Sequence, residues 1–363
     1  MIRRPPRSTH CISSAASDVY KRQIEKECKN VRENVGLLDM TAFAKCRIKG
    51  PGAEAFLDKL VANKLPKKIG RINLCHALNT KGGVHSEFTI MRESETSFYL
   101  VSAGAFQRLD HDWILKWMPN DGSVQFENLT ISNGVLVVAG PKARELMQKV
   151  SKDDFSNENF KWLSSKMVDV GYAPVNAMRV NFVGELGWEL HHPIEYQNHI
   201  FDKLMEAGKD LGIKPFGIRA MNSLRVEKSY KLVGTELSIE YSPYESGLDR
   251  FIHPNKGSFI GLEALNKWRE KGFNNKLVTL EIHNPKDADV LGNNPIYENG
   301  SVIGRATGGD YGFRLGKSIA LGMVKPELGN VGQKLKVEIL GEKYDATILD
   351  ESPYDPENKL LRA

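Results

Sequence analysis

Cysteine is scarce in this chain of 363 residues, and long apolar runs are missing altogether. Cys11, Cys28, Cys46 and Cys75 form no Cys-x-x-Cys pair, and none lies beyond residue 75. So few cysteines in so long a chain exclude a disulfide framework and indicate a reducing compartment, with Cys46 and Cys75 as small core residues. No stretch approaches the roughly 18 apolar residues of a membrane span. A field of one charge sign is also lacking. Of the formal charge of +5, residues 1–23 supply +4 through Arg3, Arg4, Arg7, Lys21 and Arg22 against Asp18. The rest is near neutral and carries no basic stripe with interleaved aromatics, which argues against a nucleic-acid partner. Asp110-His111-Asp112 is the nearest thing to a metal cluster, but three consecutive residues of a helix do not share a face, so no metal is expected.

What is present is an ordinary globular composition, 41% hydrophobic and 26% charged, enough for two or three subdomains. Residues 1–23 stand apart. They are rich in Arg and Ser, poor in acids and show no helical or strand period. They resemble a mitochondrial presequence in composition. They resemble more closely a peptide read from sequencing-adapter DNA, which implies an artefactual, disordered tail and a chain cut upstream of Ile24.

From Ile24 to Val35 the spacing predicts a short amphipathic helix. Ala44–Lys49 reads as a strand, Gly50-Pro-Gly52 as a turn, and Ala53–Leu60 as a helix. Ninety residues later the phrase recurs: strand Val135–Ala139, turn Gly140-Pro141, helix Ala143–Val150. Proline suits a first helical turn, and the recurrence argues for two related α+β units. Further strands are predicted at Leu74–Leu78, Glu87–Met91, Ser97–Ser102 and Met178–Phe182, and helices at Glu195–Leu211 and Ala220–Tyr230. From Lys276 onward six short strands separated by Gly and Asn predict a small β-barrel or sandwich. Gly50-Pro-Gly-Ala-Glu-Ala55 matches a dinucleotide loop, yet no acidic residue follows at Ile69–Ile72 and Pro51 removes a useful N–H, so no dinucleotide is expected on this chain.

Two stretches go beyond what packing requires: Arg179-Val-Asn-Phe-Val-Gly-Glu-Leu-Gly-Trp-Glu-Leu190 and Phe216-Gly-Ile-Arg-Ala-Met-Asn-Ser-Leu-Arg-Val-Glu-Lys228. Together they resemble the folate-binding module of the glycine-cleavage T-protein (aminomethyltransferase) superfamily. Within it, Met221-Asn222 is similar to the branch formed by the carboxy-terminal half of FAD-dependent dimethylglycine and sarcosine dehydrogenases. The resemblance covers about Ile24 to Ala363. It implies an α+β fold of three subdomains around a central opening: a folate-binding domain of two related α+β units over residues 24–274 and a β-barrel over 275–363.

The resemblance also proposes site residues. Glu185, with Gly184 and Gly187 beside it, would hold the pterin, because a carboxylate accepts from a ring N–H and an adjacent NH2 as it does from an arginine fork. Trp188 and Glu189 would pack and pair structurally. Where T-proteins carry two aspartates this chain has Ser86 and Glu87; these would line the reacting end, and the serine argues against ordinary glycine-cleavage chemistry. By alternation Glu87 and His85 share a face opposite Ser86. Arg225 and Glu227 look like salt-bridge partners, while Glu245 and Tyr311 are further candidate cofactor contacts. Gly304–Gly312 reads as turn geometry of the barrel.

The function implied is capture, on tetrahydrofolate, of the one-carbon unit from N-methyl oxidation of dimethylglycine or sarcosine, giving 5,10-methylenetetrahydrofolate. FAD would belong to a missing upstream domain. The alternative is a stand-alone aminomethyltransferase or demethylase. A folate-binding regulator with a Lys-Gly-Cys-Tyr motif is excluded by the absence of that motif. The setting would be the cytoplasm of a bacterium or a mitochondrial matrix.

Overall fold

The computed structural model describes residues 9–286 and 288–363, with side chains from residue 20 onward. Helix α1 (Thr9–Glu33) leads into β1 (Val35–Asp39), β2 (Ala44–Lys49), α2 (Ala53–Leu60), β3 (Ile72–Leu78), β4 (Val84–Arg92), β5 (Ser97–Ser102), α3 (Gln107–Trp117) and β6 (Gln125–Asn128). Next come β7 (Asn133–Ala139), α4 (Ala143–Val150), β8 (Ser165–Val170), β9 (Ala173–Met178), β10 (Gly187–Pro193), α5 (Gln197–Ala207), β11 (Ile213–Pro215), α6 (Ile218–Val226) and α7 (Leu262–Lys271). The last strands are β12 (Lys276–Ile282), β13 (Pro295–Glu298), β14 (Ser301–Gly312), β15 (Lys317–Val324), β16 (Lys334–Ile339) and β17 (Glu342–Leu349).

They form a five-stranded sheet ordered β3-β4-β5-β2-β6, a six-stranded sheet ordered β11-β1-β7-β10-β9-β8, and a closed barrel. The fold is mixed α and β, ending in a six-stranded barrel. Among the described residues no helix is long and apolar enough to cross a membrane.

The recurring strand–turn–helix phrase is a geometric repeat. Gly50 and Gly140 both take positive φ, +122° and +137°. Each is overhung by a carbonyl that also accepts a backbone N–H two residues on: Ser123 O takes Gly52 N and Asn34 O takes Lys142 N, both at 3.0 Å. A Cβ at either glycine would lie within 2.5 Å of that oxygen, so neither position admits another residue. The two phrases sit in interior strands of different sheets, β2 and β7.

Strand alternation decides which side chains face helices and which face the other sheet. On β4, Ser86, Phe88 and Ile90 point toward the α2 and α3 side, while Glu87, Thr89 and Met91 point the other way. On β10, Trp188 and Leu190 pack against Phe155 and Phe160, and Glu189 and His191 take the opposite face. These second faces meet: Ile72, Met91, Tyr99 and Val101 of one sheet cluster with Met178 of the other.

Three expectations change. Residues 9–23, read as part of a disordered tail, are the first half of α1; residues 1–8 lie outside the described residues. Once the packed half at Ile24–Glu33 has formed, extending a helix without Pro or Gly costs little. The strand expected at Met178–Phe182 stops at Met178, because Asn181 Oδ1 accepts from Val183 N and Gly184 N and turns the chain. Gly304–Gly312 is strand, not turn, with a bulge between Ala306 and Gly308 that bends β14 around the barrel.

The barrel is fastened at both ends. At its entrance Glu245 accepts from Ser242 N and Oγ through one oxygen, and from Asn274 N, Asn275 N and Asn275 Nδ2 through the other. Beyond β17 the tail returns across the first module. Lys228 Nζ donates to Tyr354 O, Asp355 O and Asn358 Oδ1, and Arg179 reaches Arg362 O and Ala363 O.

Candidate functional site

The facing sheet surfaces carry two carboxylate–imidazole pairs. On the five-stranded sheet, register places His76 opposite Glu87, with Nε2 2.9 Å from Oε2. On the six-stranded sheet Glu189 Oε2 lies 3.3 Å from His191 Nε2, and His191 Nδ1 meets the Tyr99 hydroxyl at 3.1 Å. That last contact ties one sheet to the other. Glu189 is buried. Among the described residues no hydrogen bond reaches Oε1 of either glutamate, and neither carboxylate faces a guanidinium or ammonium within ion-pairing distance. On the same inner surface half-buried Phe43 and Val180 pack with Tyr99 and Met178, and Phe251 lies against His76. A buried carboxylate with a spare acceptor and no cation is poised to take a donor from a ligand.

The residues picked from sequence are dispersed. Glu87 lies on this inner surface. Ser86 does not: it is buried on the outer face, where its hydroxyl donates to Asp110 Oδ1 at 2.6 Å. Ser102 Oγ donates to the other Asp110 oxygen at 2.7 Å. His85 leaves Glu87's side as well, its Nδ1 at 2.9 Å from Ser86 Oγ and its ring stacked on Trp113.

Glu185 belongs to a clamp. Its Oε1 accepts from Arg32 Nη1 (2.9 Å) and the Tyr354 hydroxyl (2.6 Å). Arg32 also donates to Glu227 Oε2, Val183 O and Leu224 O, and its guanidinium lies 4.0 Å over the Tyr354 ring. Burial pushes the Glu185 carboxyl up, and Arg32 and Tyr354 oppose that rise. Gly184 (φ +77°) offers no face to a flat ring, because the Lys228 stem lies against it. Glu227 pairs with Arg32, and Arg225 with Glu236, rather than with each other. All acceptor directions of Glu245 are taken by its five donors. Tyr311 lines a different cleft, of about 480 Å³, between α1 and the barrel, with Ile24, Asp310 and Phe313.

His76, Tyr99 and His191 are not among the candidates the sequence offers, and Glu189 is expected there to pack and pair structurally. A signal existed. In Trp188-Glu-Leu-His191 the apolar residues alternate with Glu and His, which puts the two polar groups together on one face.

Asp110 has a consequence of its own. Burial raises its carboxyl to about 6, with the Ser102 and Ser86 hydroxyls pulling it down. Raised above its unfolded value, it favours folding below pH ~4 and loses that contribution as pH climbs through about 6. Asp110→Asn is therefore expected to remove a fall in stability of about 2–3 kcal/mol between pH 4 and 7. Urea midpoints of wild type and variant at pH 4 and 7.5 measure it; parallel curves would sink the assignment.

The GCVT N-terminal domain family matches residues 9–256, and the Glycine cleavage T-protein C-terminal barrel domain matches 275–355. The mitochondrial dimethylglycine dehydrogenase of Rattus norvegicus is 38% identical over 350 residues, 96% of this chain but 41% of that protein. The chain thus spans less than half the length of the curated dehydrogenases it matches. The Aminomethyltransferase of Caldanaerobacter subterraneus is 31% identical over 348 residues, 93% of this chain and 90% of that one. The crystal structure of the glycine cleavage system aminomethyltransferase T from Bartonella henselae superposes with a TM-score of 0.82 at 21% identity, over 92% of this chain and 90% of the other, which establishes the fold. On the matched domains, the relatives and the fold, the chain belongs to the glycine-cleavage T-protein family.

Proposed function

We propose that this chain binds tetrahydrofolate between the two sheets and captures on it the one-carbon unit of an oxidised N-methyl amine, as 5,10-methylenetetrahydrofolate. The observation that carries the reading is that the two sheet faces that meet each carry a carboxylate, Glu87 and Glu189, hydrogen-bonded to one histidine and, among the described residues, with an uncommitted oxygen. A reduced pterin fits that donor set. Its adjacent N–H groups suit the buried Glu189. When bound, the folate supplies the nucleophile, a secondary-amine nitrogen.

The chain's own residues do the rest. Glu189 grips and orients. Glu87 takes at its free oxygen the proton lost when the first folate nitrogen bonds to the one-carbon unit and returns it to the amine as the carbon–amine bond breaks; the second N–H proton, lost as the methylene bridge closes, also leaves on that amine, which departs as its ammonium. The meeting sheets exclude water and hold the partners in place. Gly184, Glu185, Glu245 and Tyr311 have no part in this reading, and Ser86 enters only through the Asp110 cluster.

Similarity to dimethylglycine dehydrogenase supports placing this module beside an FAD domain that generates the electrophile. A stand-alone aminomethyltransferase is the second reading. It is favoured by the near-complete coverage of the Caldanaerobacter relative. It also gains because the argument from Ser86 falls: the residue facing the other sheet is Glu87, which keeps an anionic group at the reacting end.

The test is calorimetric titration of the chain with tetrahydrofolate, joined to the rate of methylenetetrahydrofolate formation from formaldehyde over the spontaneous rate. Glu87→Gln is expected to bind within about threefold of wild type and to lose at least tenfold of the acceleration. A folded wild-type chain that binds no tetrahydrofolate would end the reading.

A further inference from the structure

His76 is fully buried, while the Glu87 side chain keeps 22% of its surface exposed. The imidazole has one hydrogen bond, from Nε2 to Glu87 Oε2; its Nδ1 is buried without a partner among the described residues. An unpaired buried polar atom costs about 1–3 kcal/mol, which leaves the bond to Glu87 as what holds the ring. The lone bond also fixes the ring chemistry. A carboxylate only accepts, so Nε2 carries a hydrogen.

We infer that His76 is the positioning residue of Glu87: its Nε2–H holds Oε2 so that Oε1 is presented to an amine in the space between the sheets. The amine's identity rests on the folate reading; the positioning does not. The arrangement suits a carboxylate that changes protonation. With a proton on Oε1, Oε2 remains a carbonyl-type acceptor, so the His76 bond survives both states. No tautomer change is needed. At the second pair the histidine is bonded through both nitrogens, to Glu189 and to the Tyr99 hydroxyl.

Nitrogen-15 spectra of the histidine-labelled full chain without ligand test this directly, with His76 assigned by its loss in His76→Gln. The expected state is a ring that carries a hydrogen at Nε2. A ring protonated at Nδ1 with Nε2 bare could not donate to Glu87 and would overturn the inference. Kinetics supply the second arm. His76→Ala is expected to slow methylenetetrahydrofolate formation at least tenfold with the tetrahydrofolate dissociation constant within threefold. His76→Gln, which keeps a donor, should recover most of the rate. An unchanged rate in the alanine variant, or an equal loss in both, rejects the positioning role. If the alanine variant fails to fold, the tautomer and the glutamine variant still decide. If wild type binds no folate, the functional reading fails while the tautomer still judges His76.

Discussion

Glu189→Gln is expected to weaken tetrahydrofolate binding by about 100-fold or more, with stability within about 1 kcal/mol of wild type. The isosteric amide keeps one acceptor and turns the other into a donor facing a donor. Losing charge-assisted hydrogen bonds in a buried site costs about 3 kcal/mol, which sets the fold-change. In the free protein the change is mild, because Glu189 has only the 3.3 Å contact to His191 to lose. Glu185→Gln should behave in reverse: binding within threefold, and stability lower by about 1–3 kcal/mol, because the amide oxygen can still accept from Tyr354 and Arg32 but the buried guanidinium loses a counter-ion. Calorimetry and urea denaturation on the two variants separate the alternatives. If Glu185→Gln abolishes binding and Glu189→Gln does not, the pterin belongs in the clamp and the two-sheet site is wrong.

The second large effect is expected at Arg32, which is buried with Glu185 and Glu227 as its counter-ions. Arg32→Met leaves two carboxylates uncompensated and removes the cation from the Tyr354 ring. Breaking one buried pair costs about 3–5 kcal/mol, and here two carboxylates are stranded. A loss of about 5 kcal/mol at pH 7 is expected, partly recovered in acid as Glu185, already raised by burial, takes up a proton. Folate affinity of the fraction that stays folded should hardly move. A loss below about 1 kcal/mol would mean that the clamp does not hold α1, the 183–185 loop and the tail together.

The sequence carried the architecture well because its signals are local. Strand and helix bounds at Ala44–Lys49, Ala53–Leu60, Ser97–Ser102 and Ala143–Val150 follow from alternation, 3.6-residue spacing and the Gly-Pro turns. The site was harder. Gly184-Glu185 and Glu245-Ser-Gly247 look like ligand loops because Glu beside Gly is unusual. Yet their partners, Arg32, Tyr354, Asn274 and Asn275, lie 29 to 169 residues away, and no local pattern names them. The face of Glu87 was legible from period two. Its partnership with His76 depended on the register of β3 and β4, which a bulge between Ala77 and Leu78 adjusts. The return of the tail, decided by Lys228 and Arg179, left no trace that spacing could reveal.

That return governs how the molecule comes apart. A barrel hung on one linker could melt by itself, since opening it would sacrifice only its own contacts. This barrel is held at the Glu245 staple and again where the tail crosses α6 and the loop after β9, so strands β12–β17 form a closed circuit with the first module. Unravelling the barrel must free Tyr354, which strips a partner from Glu185 and a ring from Arg32, and so loosens α1 more than 300 residues away in sequence. Barrel and sheets should therefore melt in one calorimetric transition, with amide exchange in β12–β17 as slow as in β7 and β10. Two separated transitions would show the circuit to be slack.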